Sequence, residues 1–479
     1  MKITLIYPGI ATTDFNSLGK GFHDAIAVGY GLAYIGAYIK ENSAHEVDLI
    51  DLRELRNWEH FRSELNKRKS DIVGIYSSTV NYDDVLNCAA IAKEQGKVVV
   101  AGGPHATIFP DELLQSGNID HVVIGEGEKA LLGILDNFEV GKNPEKKIVG
   151  EKIDNLDELP YPDRDLYNVK KILNSTGIFP YPHRYFGIIT SRGCPFNCSF
   201  CQPVERKIFG NKIRYRSVDN VIAEVEHVIK KYGINFIMFE DDTFTFRKDW
   251  AMRLCSEMER FKIKWGAQSR VDTLDDELAA AMRKAGCRVI FFGFESGSPR
   301  ILNFLRKGTK PEQAVSAARI CKKNNILIFA NYMLGIPTET EEDLNLTHDL
   351  IEKIHPELHS PTYFSPIPGS DLYTYCKENN LIKVKNYKEF VRNPTCEKIK
   401  GIDYPVFKSY LKKMLKFSPS WFEVKYFRET VLERWSGLLK TGRCRTVLSE
   451  FFIYTPPFSL FARFISALKV FWRNKFGKK

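Results

Sequence analysis

Long apolar runs and cysteines are both scarce in this sequence of 479 residues. No apolar stretch reaches the length of about eighteen residues that a membrane-spanning helix requires, so none is predicted. The first residues, MKITLIYPG, enter a strand-like segment directly, without the basic segment, apolar core and cleavage site of a signal peptide. We therefore expect a cytoplasmic protein whose ten cysteines do not form a disulfide framework.

The composition is that of an ordinary globular protein, with 44% apolar and 27% charged residues. The chain is too long for a single core, so two or three domains are expected. The formal net charge is +10 and is unevenly placed, since nine Lys or Arg residues against one acid, Glu450, follow from Lys440 onward. An anionic membrane surface and a nucleic acid are both partners that such a basic end would suit.

Alternating apolar runs and helical patterns predict an α/β protein. Residues 1–137 predict a Rossmann-like, doubly wound parallel sheet. Residues 138–180 are polar and contain prolines, which is typical of a linker. Residues 181–379 contain six βα units and predict a partial (β/α)6 barrel of the TIM type, with its site at the carboxyl ends of the strands. Residues 380–479 are expected to be mainly helical.

Three cysteines, Cys194, Cys198 and Cys201, follow the first strand of the predicted barrel. Thiolates hold iron–sulfur clusters, and a cubane held by only three of them keeps one iron open for a substrate or cofactor. A zinc site would need a fourth ligand, and the nearest histidines, His183 and His227, do not have zinc-finger spacing. A buried group of packing cysteines is the third interpretation.

The segment CPFNCSFC resembles the signature of the radical S-adenosylmethionine (radical SAM) superfamily, Cys-x3-Cys-x-aromatic-Cys, with Phe200 as the aromatic residue. The resemblance implies a 4Fe–4S cluster whose open iron chelates S-adenosylmethionine. It also implies reductive cleavage of that cofactor to a 5′-deoxyadenosyl radical, and hence a reducing partner such as a flavodoxin or ferredoxin.

Five further motifs at predicted strand ends support the resemblance: FEDDTFT, AQSRVD, GFESGS, MLGIPTET and SPIPGSDLY. In similar proteins, polar residues at these places contact the amino and carboxylate groups, the ribose and the adenine of S-adenosylmethionine. The first motif, FEDDTFT, contains Glu240 beside two aspartates, and the sequence does not show which carboxylate points inward. The resemblance implies cofactor contacts for Asp241, Asp242, Ser269, Arg270, Glu295, Ser296, Gly335, Ile336 and Pro337.

The N-terminal domain resembles the cobalamin-binding domain found upstream of many radical SAM enzymes. The motifs YSSTVNY, AGGPHAT and IGEGEKAL carry the resemblance, which implies that cobalamin contacts Ser77, Ser78, Thr79, Gly102, Gly103 and Glu126. The Asp-x-His-x-x-Gly motif that supplies a histidine to cobalt in other cobalamin proteins is missing, and GFHDAIAVG does not match it. His105 is expected to have a polar role in its loop rather than to bind cobalt.

The last residues predict an amphipathic helix. Phe461, Phe464, Ile465 and Leu468 recur at helical spacing, with cations elsewhere on the wheel. Such a helix either lies on an anionic membrane surface or packs on the barrel.

The leading hypothesis is a cobalamin-dependent radical SAM methyltransferase acting on an unactivated carbon of a lipid-like or other secondary metabolite. The same radical could instead drive a cyclisation or rearrangement. A hypothesis of another class is a non-catalytic iron–sulfur electron carrier or sensor. A zinc-containing nucleic-acid binder is disfavoured, although VERKIFGNKIRYR is basic and aromatic.

Overall fold

A computed structural model describes residues 1–9, 15, 17–18, 27–173, 184–201, 208–391 and 397–415. The predicted amphipathic helix near the C-terminus, His23 and His183 lie outside these residues. No helix in the described ranges has the combination of length and apolar character needed to cross a membrane.

The first sheet has six parallel strands in the order β2-β1-β3-β4-β5-β6. This order confirms the predicted Rossmann-like sheet. Its strands are β1 (Lys2–Tyr7), β2 (Glu46–Asp51), β3 (Ile72–Tyr76), β4 (Val98–Gly102), β5 (His121–Ile124) and β6 (Lys147–Val149).

Helices cover both faces of this sheet, because alternate strand residues are apolar on either side. One face packs against α1 (Tyr30–Asn42) and α6 (Glu128–Glu139). The other packs against α2 (Trp58–Arg68), α3 (Tyr82–Glu94), α4 (Pro104–Ile108) and α5 (Pro110–Gln115).

Strand β6 lies within residues 138–180, which we predicted as a linker. The strand pairs in parallel with β5 and completes the first sheet. It has three residues, and Val149 is 76% exposed, so it lacks the buried apolar run that marks the other strands. The same segment contains the short helix α7 (Val169–Leu173).

The second sheet also has six parallel strands, in the order β14-β13-β12-β11-β10-β7. Because neighbouring strands follow each other along the chain, the sheet has the predicted partial-barrel topology. Its strands are β7 (Tyr185–Ile188), β10 (Phe236–Phe239), β11 (Lys264–Ser269), β12 (Cys287–Glu295), β13 (Leu327–Leu334) and β14 (Leu358–Tyr363).

Several crossover helices of the second sheet begin at polar caps. Ser217 caps the first of them, and Thr340 and Asp343 form a capping box on another. These helices are α8 (Val218–Tyr232), α9 (Lys248–Met258), α10 (Asp276–Lys284), α11 (Pro299–Phe304), α12 (Pro311–Lys323) and α13 (Glu341–Ile354).

Three smaller features complete the described fold. A two-stranded antiparallel ribbon of β8 (Ser191–Arg192) and β9 (Arg214–Tyr215) flanks the cysteine segment. Helix α14 (Asp371–Glu378) follows β14, and α15 (Tyr404–Leu415) lies against α13 and β14.

Candidate active site

A cavity of about 370 Å³ lies where the strand ends of the two sheets face each other. Its wall from the first sheet is rich in glycine: Gly31, Gly74, Gly102, Gly103, Gly125 and Gly127. Its wall from the second sheet includes Ile189, Ser191, Arg192, Gly193, Glu240 and Asp242. Sites at the carboxyl ends of parallel strands are the rule for both kinds of sheet. The cavity wall contains Asp242 of the residues predicted to contact S-adenosylmethionine, and Gly102, Gly103 and Glu126 of those predicted to contact cobalamin.

The glycine wall leaves room for a bulky ligand. A Cβ added at Gly31 would meet no atom within 4 Å, and one at Gly102 would meet only Val123, at 3.8 Å. Gly103 has a φ of 103°, which favours glycine, and a Cβ there would lie 3.0 Å from the Ser77 carbonyl oxygen. Because glycines have no side chain, these positions leave the cavity space open.

The predicted cobalamin residues of the β3 and β4 loops lie together. Ser77 donates its amide to the Gly102 carbonyl at 2.7 Å, and its own carbonyl accepts from the His105 amide at 3.0 Å. The Ser77 hydroxyl is buried and has no hydrogen-bond partner among the described residues. An orphaned buried hydroxyl beside a glycine wall fits a polar ligand tail such as that of cobalamin.

His105 does not line the cavity. It is buried among the rings of Tyr82, Phe109 and Tyr387, and its Nδ1 lies 3.3 Å from the Thr79 hydroxyl. Burial lowers the pKa of His105 to about 4, so the imidazole is neutral near pH 7. The predicted loop position differs from the structure, in which His105 lies in helix α4.

The three clustered cysteines differ from the others in exposure. Cys194 and Cys198 are half-buried and Cys201 is exposed, whereas the five other described cysteines are buried, and none of these eight forms a disulfide. The trio is therefore not a packing group. Thiols spaced along one loop fit an iron–sulfur cluster.

Arg270 reaches this loop from the end of β11. Its Nη1 lies 3.9 Å from the Cys198 sulfur, and its guanidinium carbon lies 3.6 Å from the centroid of the Phe196 ring. Asp272 accepts from its Nε and Nη2, both at 2.9 Å, and the Lys307 carbonyl accepts from Nη2 at 2.8 Å. The predicted carboxylate-binding arginine is thus rigidly held beside the cysteines.

Ser269, the neighbour of Arg270, points elsewhere. Its hydroxyl lies in a buried group with those of Thr245 and Thr273. These contacts tie the end of β11 to the loop after β10, so Ser269 shapes the strand end.

Glu295 ends β12 in a left-handed conformation, with a φ of 63°. Its carboxylate accepts from Lys307 Nζ at 2.9 Å, and this ammonium lies 5.8 Å from the centroid of the Phe200 ring. Gly293 makes room for the pair, because a Cβ there would lie 2.3 Å from Glu295 Oε1. The predicted ribose contact is therefore adjacent to the cysteine loop.

The turn after β13 is built around Glu339, which sequence reasoning did not select. Its Oε2 accepts from the amides of Gly335 and Ile336, at 2.7 and 3.1 Å. Ile336 is fully buried and packs in a cluster with Phe200. Burial raises the pKa of Glu339 to about 8. This arrangement brings the predicted adenine turn, Gly335–Pro337, to the cysteine loop.

Ser296, which follows β12, is buried. Its hydroxyl lies 3.1 Å from the Thr347 hydroxyl of α13 and accepts from the Ser298 amide at 3.1 Å. Both of these contacts are internal to the barrel.

The three acids after β10 have different surroundings. Asp241 is buried and accepts from the Thr190 amide at 3.0 Å and from the Ser191 hydroxyl at 2.6 Å, while burial raises its pKa to about 6. Glu240 and Asp242 line the cavity, and Glu240 accepts from the Gln268 amide group at 3.3 Å. Asp241 therefore holds the loop before the cysteines, and its neighbours face the ligand space.

Glu126 has a role that its motif did not reveal. Its Oε2 accepts from Arg192 Nη1 at 3.2 Å and from the Ile153 amide at 3.1 Å, and its Oε1 accepts from Arg214. Glu128 accepts from Arg192 Nη2 at 2.5 Å. These side chains are buried, so the two acids of the first domain form buried ion pairs with two arginines of the second. Arg192 stands two residues before Cys194, a signal that could have identified it.

Comparison with known proteins agrees with this geometry. The B12 binding domain model matches residues 25–135, and the Radical SAM superfamily model matches residues 188–351. An uncharacterized methyltransferase of Pyrococcus horikoshii is 34% identical over 408 residues, covering 80% of this chain and 86% of its own length. The two family models thus cover the two sheets whose strand ends line the cavity.

The chain belongs to the radical SAM superfamily and carries a B12-binding domain upstream of the radical SAM domain. Its cofactors are a 4Fe–4S cluster, S-adenosylmethionine and cobalamin. This membership excludes the zinc and simple electron-carrier interpretations.

Other similar proteins include a bacteriochlorophyllide d C-12(1)-methyltransferase of Chlorobaculum tepidum. It is 28% identical over 64% of this chain and 66% of its own length. Among solved structures, the radical S-adenosylmethionine methyltransferase TsrM from Kitasatospora setae has a TM-score of 0.65 at 16% identity, covering 87% of this chain and 89% of its own. This structural likeness supports the fold.

Proposed function

We propose that the protein is a cobalamin-dependent C-methyltransferase that acts on an unactivated carbon of a small molecule. The observation that carries the proposal is the shared cavity, which brings the glycine wall of the B12-binding domain opposite Glu240, Asp242 and the ribbon before the cysteines. Similar proteins whose names describe methyltransferases support the same reaction class.

Cys194, Cys198 and Cys201 are proposed to hold the cluster and leave one iron open. Burial raises the pKa of the Cys194 thiol, so cluster binding must supply the stabilisation that keeps this sulfur a thiolate. Arg270 is positioned beside Cys198 to bind the S-adenosylmethionine carboxylate. The Asp272 carboxylate accepts from Nε and Nη2 of Arg270 and neutralises much of its charge. Nη1, which faces the Cys198 sulfur, makes no bond to Asp272.

Glu295 and the Gly335–Pro337 turn are proposed to hold the nucleoside part of S-adenosylmethionine. Glu295 is fixed by Lys307, and the turn is fixed by Glu339, so both present an ordered surface. Phe200 lies next to the third cysteine, with its ring centroid 5.8 Å from Lys307 Nζ, and packs in the same apolar cluster as Ile336 of the turn. Ser269, Ser296 and Asp241 are assigned to supporting this surface from behind.

Gly102, Gly103 and the Ser77–Thr79 loop are proposed to hold cobalamin. Bound together, the cluster and S-adenosylmethionine supply a substrate-activating radical, and cobalamin supplies the methyl group. The chain's own contribution would be to hold the glycine wall across one cavity from Glu240, Asp242 and the ribbon before the cysteines.

We propose that the substrate is a lipid-like or other secondary metabolite and that the enzyme contacts a membrane peripherally. The amphipathic pattern of residues 459–476 supports both proposals. A truncated protein lacking residues 445–479 should fail to sediment with anionic vesicles that the full chain binds. Equal sedimentation would contradict membrane contact.

The electron is proposed to come from a small reducing protein such as a flavodoxin or ferredoxin. In the functional test, anaerobically reconstituted protein receives cobalamin, S-adenosylmethionine and reductant, with candidate substrates, and nucleoside products are quantified. Formation of both 5′-deoxyadenosine and S-adenosylhomocysteine is expected. 5′-Deoxyadenosine alone would support cyclisation or rearrangement instead, and neither product with any candidate would contradict the proposal.

A further inference from the structure

Arg192 forms ion pairs that connect the radical SAM domain with the B12-binding domain. Its guanidinium donates to Glu128 at 2.5 Å and to Glu126 at 3.2 Å, and all three side chains are at least nine-tenths buried. Both acids belong to the loop after β5 and the start of α6, in the B12-binding domain. Arg192 belongs to β8, in the radical SAM domain.

The acids are also part of the cavity wall. Glu126 and Glu128 both line the cavity, as do their neighbours Gly125 and Gly127. A ligand that fills this space therefore contacts the backbone that carries the two carboxylates. Any displacement of that backbone changes the position of the arginine, because buried ion pairs tolerate little separation.

Arg192 is also close to the cysteines in sequence, two residues before Cys194. Gly193 connects it to Cys194 with a φ of 97°, and a Cβ on Gly193 would lie 2.8 Å from the Lys212 carbonyl oxygen. The ribbon of β8 and β9 holds this connection, since Ser191 and Arg192 pair with Tyr215 and Arg214. The arginine position thus fixes the start of the cysteine loop.

We propose that Arg192 is a positioning residue that couples the cavity to the cysteine loop, so that occupation of one site tightens ligand binding at the other. The inference rests on the proposed function for the identity of the two ligands, cobalamin and S-adenosylmethionine. Because coupling between two binding sites is reciprocal, each ligand must change the affinity of the other by the same factor.

The test measures this factor in the anaerobically reconstituted full chain. The dissociation constant of S-adenosylmethionine is determined with and without hydroxocobalamin, and that of hydroxocobalamin with and without S-adenosylmethionine. Hydrogen exchange of the peptide containing residues 191–201 is followed in parallel. Neither readout depends on turnover or on knowing the substrate.

Three variants separate coupling from simple structural damage. Glu128→Gln keeps the shape of the side chain and removes its charge. Arg192→Lys keeps the charge but cannot donate to both acids in the same way. Arg164→Lys is the matched control, because Arg164 is also buried and ion-paired, to Glu224 at 2.6 Å, but does not contact the cysteine loop.

We expect a reciprocal factor of about tenfold in the wild type and in Arg164→Lys. It should fall below about twofold in Glu128→Gln, with an intermediate value in Arg192→Lys. Hydroxocobalamin should slow exchange of the cysteine loop in the wild type but not in Glu128→Gln.

A wild type with a factor near one would overturn the inference, as would a Glu128→Gln protein that retains the wild-type factor. Equal loss in Arg164→Lys would also overturn it, since the effect would then be general. A wild type that couples the two ligands but forms no S-adenosylhomocysteine with any substrate would contradict the proposed function and leave the inference standing. A wild type that binds neither ligand would overturn both.

Discussion

The guanidinium of Arg270 lies over the ring of Phe196, with 3.6 Å between its central carbon and the ring centroid. Phe196 belongs to the cysteine loop and Arg270 to the end of β11, so the contact fixes the loop on the strand. Asp272 holds the guanidinium in this position through two hydrogen bonds of 2.9 Å. A planar, forked cation is required for both contacts at once.

Arg270→Lys should therefore weaken S-adenosylmethionine binding by about tenfold, or ~1.4 kcal/mol, without loss of the cluster. A lysine ammonium carries the charge but cannot stack and bind Asp272 in two places. Equilibrium dialysis gives the affinity, and iron analysis gives the cluster content. The control is Arg247→Lys, at a 54% exposed arginine paired with Asp249. Equal affinities in all three proteins would contradict the role of Arg270.

Gly293→Ala should also weaken S-adenosylmethionine binding. The new methyl group would lie 2.3 Å from Glu295 Oε1 and 2.9 Å from Lys307 Nζ, so this ion pair must move. We expect an affinity loss of about tenfold. Gly133→Ala is the matched control, because Gly133 lies in helix α6 and a Cβ there meets no atom within 4 Å. That variant should bind normally and be slightly more stable, by about 0.5–1 kcal/mol. Normal binding in Gly293→Ala would show that Glu295 does not need its present position.

Much of the fold was predictable because each domain repeats one local pattern. Segments such as KITLIYP and CRVIFFGFES are apolar, short and separated by helical patterns, so the parallel strands other than β6 were predicted. Strand β6 was missed because Lys147 and Val149 face solvent and carry no burial signal. A short strand that pairs with β5 but buries few side chains has no apolar pattern from which the sequence could predict it.

The candidate site was predictable where a motif carries its own spacing, as for Cys194, Cys198 and Cys201. It was not predictable where function depends on a partner distant in sequence. Glu126 was predicted to contact a cofactor, yet its partners Arg192 and Arg214 are 66 and 88 residues away. Likewise, the sequence places three acids together after β10, but only packing shows that Asp241 is turned toward Thr190.

Cys198→Ala should abolish both the cluster and S-adenosylmethionine cleavage, because two thiolates cannot hold a cubane in place of three. The visible absorption of the cluster and its iron content measure the first effect, and 5′-deoxyadenosine measures the second. Cys321→Ala is the control, since Cys321 is fully buried on helix α12. It should retain the cluster at a stability cost of roughly 1 kcal/mol. Cleavage that persists in Cys198→Ala would place the cluster elsewhere.

The raised pKa of Glu339 predicts how the stability of the protein depends on pH. Burial raises the pKa of this carboxyl from 4.5 to about 8, although two backbone amides favour its charged form. Between these two pH values the folded protein retains a proton that the unfolded chain has released. Stability from this group is therefore largest at low pH and declines as the pH rises toward 8, by at most ~1.4 kcal/mol per pH unit.

Glu339→Gln should remove this decline, since glutamine keeps an oxygen for the two amides and does not titrate. The measurement is the free energy of unfolding in denaturant at pH 5.5, 7 and 8.5, taken as the difference between wild type and variant so that other titrating groups cancel. The variant should gain stability relative to the wild type as the pH rises. Glu342→Gln, at an exposed carboxylate of helix α13, should follow the wild type. If Glu339→Gln also follows the wild type at all three pH values, the buried carboxyl does not carry a proton across this range, and the turn at Gly335 is held by a charged group instead.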